Sequence, residues 1–462
     1  MTTQNARASM ARRALPPLAA ALFLLSVAPA CSRETLLEVE TPDQITTEQA
    51  NSPTGAAALR VAAIGNFAYF YGGDYGGSFH GINITSGLLS DEIESARGGT
   101  EHLDSRAQNE AVQPLTNTWA SVGQAHTQLV RAIKALTEFA PEATDAEKAT
   151  KKTQIAQLYA LHGMLYVITA ESYCNGIPFA NADDLNPQTE LLSNAELFTR
   201  ALAQFDTAVA TAGTTAGDAD IKNLAAVGRG RALLDLAKTP SEFSKAALAV
   251  TAVPTSFVYN VTYSQTSVVN AIYDWMNGTL NYAPADREGG NGLPFVSAND
   301  PRVTVVRGAG GAATRRAGQD GIQHYVQTVF ERADKPVPLA TGVEARLIES
   351  EAALAANDAT TYLTRLNAAR GTRSDLPALA DPGSAAARQN LLFSERAFWF
   401  WGTAHRTGDL RRLVRQYGRA PESVWPTGPY FKGGAFGTEM NLVPAQTEKN
   451  NPTYTGCANR DA

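Results

Sequence analysis

Apolar side chains recur at steps of three and four residues through most of the region 51–239. Leu59, Ala63, Phe67 and Phe70 share one face of a helix that Asn51-Ser52-Pro53 would start. From 115 to 136 the apolar positions Trp119, Val122, Leu129, Ile133 and Leu136 describe an amphipathic helix of about six turns. Ile155, Leu158, Leu161, Leu165 and Ile168 mark a second long helix. Leu197, Ala201, Leu202, Phe205, Ala208 and Val209 mark a third, and Leu224, Val227, Leu233 and Leu236 a fourth. Short loops join them, and Ala and Gly stand at the expected contacts. That pattern predicts antiparallel helix pairs, each shielding its neighbour's apolar face, as in tetratricopeptide arrays. No strict repeat of about 34 residues is present, so the array is degenerate.

Two stretches break the pattern. Residues 69–81, YFYGGDYGGSFHG, are rich in Gly and Tyr and read as a loop. Residues 240–340 hold frequent turn residues, strand-like runs at 258–262 and 303–306, and aromatic side chains between them, so they read as an irregular, loop-rich insert. Helical patterns resume at 344–356, 359–370 and 390–415. The expected organisation is therefore a mainly α chain, an α-solenoid of degenerate tetratricopeptide-like pairs. Residues 51–239 form its first part, with a loop at 69–83; 240–340 is the insert, 341–420 completes the array, and 421–462 is a loop-like tail.

The first 30 residues carry a different signal. Arg7, Arg12 and Arg13 precede the apolar run 18–27, LAAALFLLSV, and the small residues Ala28-Pro29-Ala30 lead into Cys31, which is the layout of an export signal peptide. The apolar run is too short to span a bilayer stably. The junction resembles a bacterial lipobox, in which Cys31 would receive lipid and become the new N-terminus; it also suits an ordinary secretory peptidase. Residues 31–50 are polar, lack helical periodicity and read as a tether. Removal of residues 1–30 takes three arginines and no acid, so the chain charge of −6 becomes −9, with 36 basic against 45 acidic residues. That balance argues against nucleic acid as a partner. Three cysteines, Cys31, Cys174 and Cys457, are too few for a disulfide scaffold or a structural zinc site. With Cys31 lipidated, Cys174 and Cys457 either pair or stand apart, one buried and one on the tail.

Enzyme motifs are weak. Residues 308–313, GAGGAA, satisfy G-x-G-x-x-A after an apolar run, but the following TRRAG is not a helix and no βαβ pattern surrounds it. His80 stands where a nucleophile elbow after Gly76-Gly77-Ser78 would need Gly. No H-E-x-x-H occurs, and the histidines at 80, 102, 126, 162, 324 and 405 lack ligand spacing. The sequence thus points to no catalytic set, metal or cofactor. Binding is better served. Sugar rings stack their C–H faces on aromatic rings, while their hydroxyls need amide, carboxylate or guanidinium partners. The first loop offers Tyr71, Asp74, Tyr75, Phe79, His80 and Asn83, and the insert offers Tyr273, Trp275, Asn277, Asn281 and Tyr282. The same aromatics could instead pack these loops onto the helices.

A family resemblance gathers these pieces. Cys31-Ser32 with Leu36-Leu37, then Leu88-Leu89-Ser90-Asp91-Glu92, the YCNGIPF turn at 173–179, Asp300-Pro301-Arg302, Leu366-Asn367-x-x-Arg370, Glu395-Arg396 followed by HRTGDLRR at 405–412, and Asn441-Leu442-Val443-Pro444 occur in one order. In that order they resemble the SusD/RagB-like outer-membrane lipoproteins. Trp399, Thr403 and Ala404 depart from the pattern, the last standing where the family often has Gly. The charged residues of this late helix, Glu395, Arg406, Asp409 and Arg412, read as structural ion pairs. The resemblance implies a non-enzymatic receptor, anchored by lipid on Cys31 to the outer membrane and facing the cell exterior. It would capture an oligosaccharide with the two aromatic loops and deliver it to a TonB-dependent, SusC-like barrel. Two other readings stay open: a peptide-binding member of the same family, and a tetratricopeptide-type assembly scaffold of the envelope.

Overall fold

The computed structural model describes residues 51–74, 80–180 and 189–456. Cys31 and the tether, Tyr75, Phe79 and Cys457 lie outside the described residues. Helix α1 (Pro53–Gly72) opens with Ser52, whose hydroxyl accepts from the Gly55 amide, and Pro53 at the first position. It runs through Tyr69-Phe70-Tyr71, where the Gly- and Tyr-rich pattern predicts a loop. Phe67, Phe70 and Tyr71 continue its buried face, and the chain leaves helical geometry only at Gly73, with φ of 90°.

After the short α2 (Ile82–Leu89) come α3 (Gln113–Phe139), α4 (Asp145–Ser172), α5 (Asn194–Thr211), α6 (Ala216–Leu236), α7 (Pro240–Val250), α8 (Gly342–Ala355) and α9 (Ala359–Arg370). α1 packs on α3, α4 on α5, α6 on α7 and α8 on α9, and each pair packs on the next. This is the expected array of tetratricopeptide-like pairs. α7 belongs to it, so the irregular stretch begins only after Val250. Capping boxes start α4 (Thr144 with Glu147), α5 (Ser193 with Glu196) and α6 (Thr215 with Asp218). Close packing needs Gly where α4 and α6 meet α5: a Cβ at Gly163 or Gly228 would lie 2.5 or 2.3 Å from the Phe205 ring.

Eight short strands are present among the described residues: β1 (Ile93–Ser95), β2 (Ile177–Ala180), β3 (Thr189–Leu192), β4 (Val258–Val261), β5 (Tyr282–Pro284), β6 (Arg315–Ala317), β7 (Gln323–Tyr325) and β8 (Val337–Thr341). They form four antiparallel pairs, β1–β5, β2–β3, β4–β8 and β6–β7. β4–β8 is the neck of the insert, since the chain departs along β4 and returns along β8 directly into α8. The run 303–306 is not a strand; Val305 makes an isolated bridge to Gln327. The residues after GAGGAA run into β6, not into a helix.

The apolar pattern predicts one helix over 390–415. The structure breaks it into α10 (Ala385–Trp399) and α11 (Arg406–Arg415), with Gly402 and Ala404 left-handed at φ of 71° and 60° in the turn between them. α11 is largely buried despite its charges, because they are paired across the molecule. Arg406 grips Asp91 at 2.6 and 2.8 Å. Arg396 and Arg412 both bind Asp409, at 2.8 and 2.7 Å, and Arg412 also pairs with Glu351. Burial alone would raise the Asp409 carboxyl; the two guanidiniums outweigh it and hold it below the ordinary range. Glu395 receives Arg302 and Arg370, each at 2.7 Å. The Asp91, Arg302, Arg370 and Glu395-to-Arg412 motifs are thus wired to one another. Among the described residues no helix is long and apolar enough to cross a membrane.

Candidate functional site

The two aromatic loops meet. Past α1 the chain pinches together through a bridge between Gly73 and His80. Gly81 then crosses the end of α1 so closely that a Cβ would lie 2.2 Å from the Gly72 carbonyl carbon. This crossing delivers His80 and, one helical turn on, Asn83 at the start of α2. From the insert, Asn270 caps a short helical turn by accepting from the Ile272 and Tyr273 amides, and a π-helical turn, Asp274–Gly278, then projects Trp275. Tyr282 comes from β5, opposite Ser95 of β1.

His80 stacks on Trp275 with ring centroids 4.3 Å apart and 23° between planes. Tyr282 meets His80 edge-on at 5.6 Å and Trp275 at 5.7 Å, and the Arg97 guanidinium lies 5.8 Å over the Trp275 ring. Burial, reinforced by Arg97, pushes the His80 imidazole down to about 3, so it is neutral at physiological pH and carries one donor and one acceptor nitrogen. Neither nitrogen has a hydrogen-bond partner among the described residues. The same holds for both amide atoms of Asn83, for Trp275 Nε1 and for Asn281 Oδ1. Asn83 and Trp275 are 0% and 1% exposed. More than about nine in ten buried polar groups in proteins are satisfied, so these six atoms are hydrogen-bonding capacity without a counterpart among the described residues. In this state the rings cover one another, and His80 occupies a face of Trp275.

The remaining sequence candidates are placed differently. Tyr71 points away, donating to the carbonyls of Pro338 at 2.7 Å and Thr403 at 3.2 Å while its ring packs on Phe67. Asn277 exchanges hydrogen bonds with Gln327, donating to its carbonyl at 2.9 Å and accepting from its amide at 2.7 Å, which braces the insert internally. Tyr273 and Asp74 are half-buried, and Asp74 is near enough to Tyr69 to help burial raise that phenol. Arg97 was not among the sequence candidates. It follows β1, and only the pairing of β1 with β5 carries it to Trp275.

Behind the stack, Asp104 accepts from the Ser95 amide at 2.7 Å and the Tyr430 hydroxyl at 2.8 Å. Burial pushes Asp104 up to about 6 and raises the neighbouring Glu288 well above the usual carboxylate range, so the two acids share a proton. His126 and His162 meet at 2.9 Å inside the helical array. Among the described residues no three His, Cys, Asp or Glu side chains are grouped to hold a metal ion. Cys174 is buried and disulfide-bonded, and both other cysteines lie outside the described residues.

No protein-family model matches the sequence, and no curated protein matches it. Solved structures do match. The surface glycan-binding protein A from Bacteroides uniformis superposes with a TM-score of 0.64 over 88% of this chain and 99% of its own, at 16% identity. A SusD superfamily protein from Parabacteroides distasonis gives 0.63 over 89% and 99%, at 12% identity. A SusD homolog from Bacteroides thetaiotaomicron gives 0.62 over 91% and 98%, at 14% identity. The chain carries the SusD-superfamily fold. At these identities the likeness defines the architecture, and the site defines the rest.

Proposed function

We propose that this chain is a SusD/RagB-like receptor that captures an oligosaccharide at the His80–Trp275–Tyr282 nest, anchored by lipid on Cys31 to the outer membrane and serving a TonB-dependent, SusC-like barrel. The observation that carries the reading is the buried ring stack together with six polar atoms, on His80, Asn83, Trp275 and Asn281, that have no hydrogen-bond partner among the described residues. Aromatic faces and neutral donor–acceptor groups in one place are what a sugar ring demands. A sugar would take the face of Trp275 that His80 covers, with the amides of Asn83 and Asn281 reaching its hydroxyls. The His80 ring would therefore swing aside on binding. The likeness to the surface glycan-binding protein from Bacteroides uniformis supports a glycan as ligand.

Export is supported by the signal-like N-terminus and by the Cys174 disulfide, a bond of oxidising compartments. We assign its partner as Cys457, because the C-terminal segment docks beside it: the Cys174 amide donates to the Leu442 carbonyl at 3.0 Å. The test is an array of oligosaccharides and peptides probed with the purified protein, run beside membrane fractionation of cells carrying Cys31→Ser. The reading expects glycan hits and release of the variant from membranes. Peptide hits alone, or a variant that stays membrane-bound, would contradict the ligand class or the anchor respectively.

A further inference from the structure

A cavity of about 630 Å³ opens between the β4–β8 neck and the turn that joins α10 to α11. Its floor is aromatic, built from Phe257, Phe330, Phe398, Trp399, Phe400 and Trp401. It shares no residue with the nest. Gly402, in the turn between α10 and α11, lies against Phe330 of this floor and against Ile272 of the short helical turn that precedes Trp275.

The charges around the cavity are arranged unequally. Arg302, Lys335 and Arg373 reach its wall, whereas their acids, Asp300 and Glu395, Glu331, and Asp375, do not line it. The carboxylate in the wall, Glu344, is buried and bound to His405 at 3.2 Å. An apolar hollow with cations in its wall, whose ion-pair partners stand outside the lining, offers charged donors to an anion that enters. Lys335 and Arg373 keep 37% and 36% of their side chains exposed, so both are free to turn from a solvated partner onto an anion. One buried donor, Trp399 Nε1, has no partner among the described residues. The Arg302 guanidinium lies 5.2 Å over the Trp399 ring, which fixes that ring as a platform.

We propose that this cavity is a second ligand site, independent of the nest, that takes a small aromatic carboxylate. Its rings lie on the Trp399–Phe400 floor and its carboxylate meets Lys335 and Arg373. A neutral ligand of the same shape would give the charged donors no anion to meet, and a saturated one would lose the ring contacts.

The probe is 2-naphthoate, titrated calorimetrically into the purified protein beside 2-naphthalenemethanol and decalin-2-carboxylate. The carboxylate with rings is expected to bind about tenfold more tightly than either control. The double variant Lys335→Gln/Arg373→Gln should lose that advantage over the alcohol while binding the alcohol as before, which also shows that it is folded. Trp275→Leu should leave naphthoate binding unchanged. Equal binding of all three compounds, no binding of naphthoate, an unaltered double variant, or loss of naphthoate on Trp275→Leu would each overturn the proposal. None of these bears on whether a glycan binds the nest.

Discussion

Asn83 is a residue that stability alone would not choose. It sits fully buried at the start of α2 with neither amide atom partnered among the described residues, and an orphan buried amide costs free energy that an apolar side chain of similar size would not. Asn83→Leu is expected to raise the unfolding free energy by about 1 kcal/mol in urea titration and to weaken oligosaccharide binding. A loss of stability would mean that the amide is satisfied inside the fold. The Asp104–Glu288 pair makes a pH prediction. Both folded-state values are raised, so the fold favours the protonated acids, and the stability they contribute is present at low pH and lost as pH rises through their folded values. Glu288→Gln should therefore gain on the wild type in urea midpoint at about pH 8 and not at about pH 4. Equal offsets at both would remove the shared proton from the account. His80, Trp275 and Tyr282 were legible in the sequence as aromatics in loops. Their mutual stacking, and the entry of Arg97, were not, because a strand pair joining Ser95 to Tyr282 creates both.

Elements were legible where one face is apolar and the other wet. α3 and α5 announce themselves that way. α2 escaped because every residue of it is buried, which leaves no alternation to read. The end of α1 was misplaced since Gly and Tyr suggested a loop, while Phe67, Phe70 and Tyr71 were in fact a helical face. The α10–α11 break was hidden among helix-forming residues. It depends on Ala404, whose φ of 60° is costly for any residue with a Cβ. This is also where the sequence departs from the SusD-like pattern, which often has Gly at this place. Ala404→Gly is accordingly expected to stabilise the protein by about 1 kcal/mol, read as a Tm rise of about 1 °C in a thermal melt. A lower Tm would show that the turn tolerates Ala without strain.

At the scale of the whole molecule, the motifs that made the resemblance visible are partners in space. Asp91 with Arg406, and Arg302 and Arg370 with Glu395, hold the segment after α2, the insert and the last helix pairs together through buried ion pairs. Leaving one such charge without its partner is far more costly than an exposed loss, which is a physical reason for them to occur together. The insert's internal path, by contrast, follows isolated bridges and side-chain braces such as Asn277 with Gln327, for which no periodic sequence signal exists. The array and the insert together bring two distant loops to one nest, and the central claim is that this nest receives a sugar. The most direct test is calorimetric titration of an array-identified oligosaccharide into wild type, Trp275→Leu and Asn83→Leu, each first shown to be folded by its thermal melt. The account predicts binding by the wild type and affinities at least about tenfold lower in both variants. An unchanged affinity in both would contradict it.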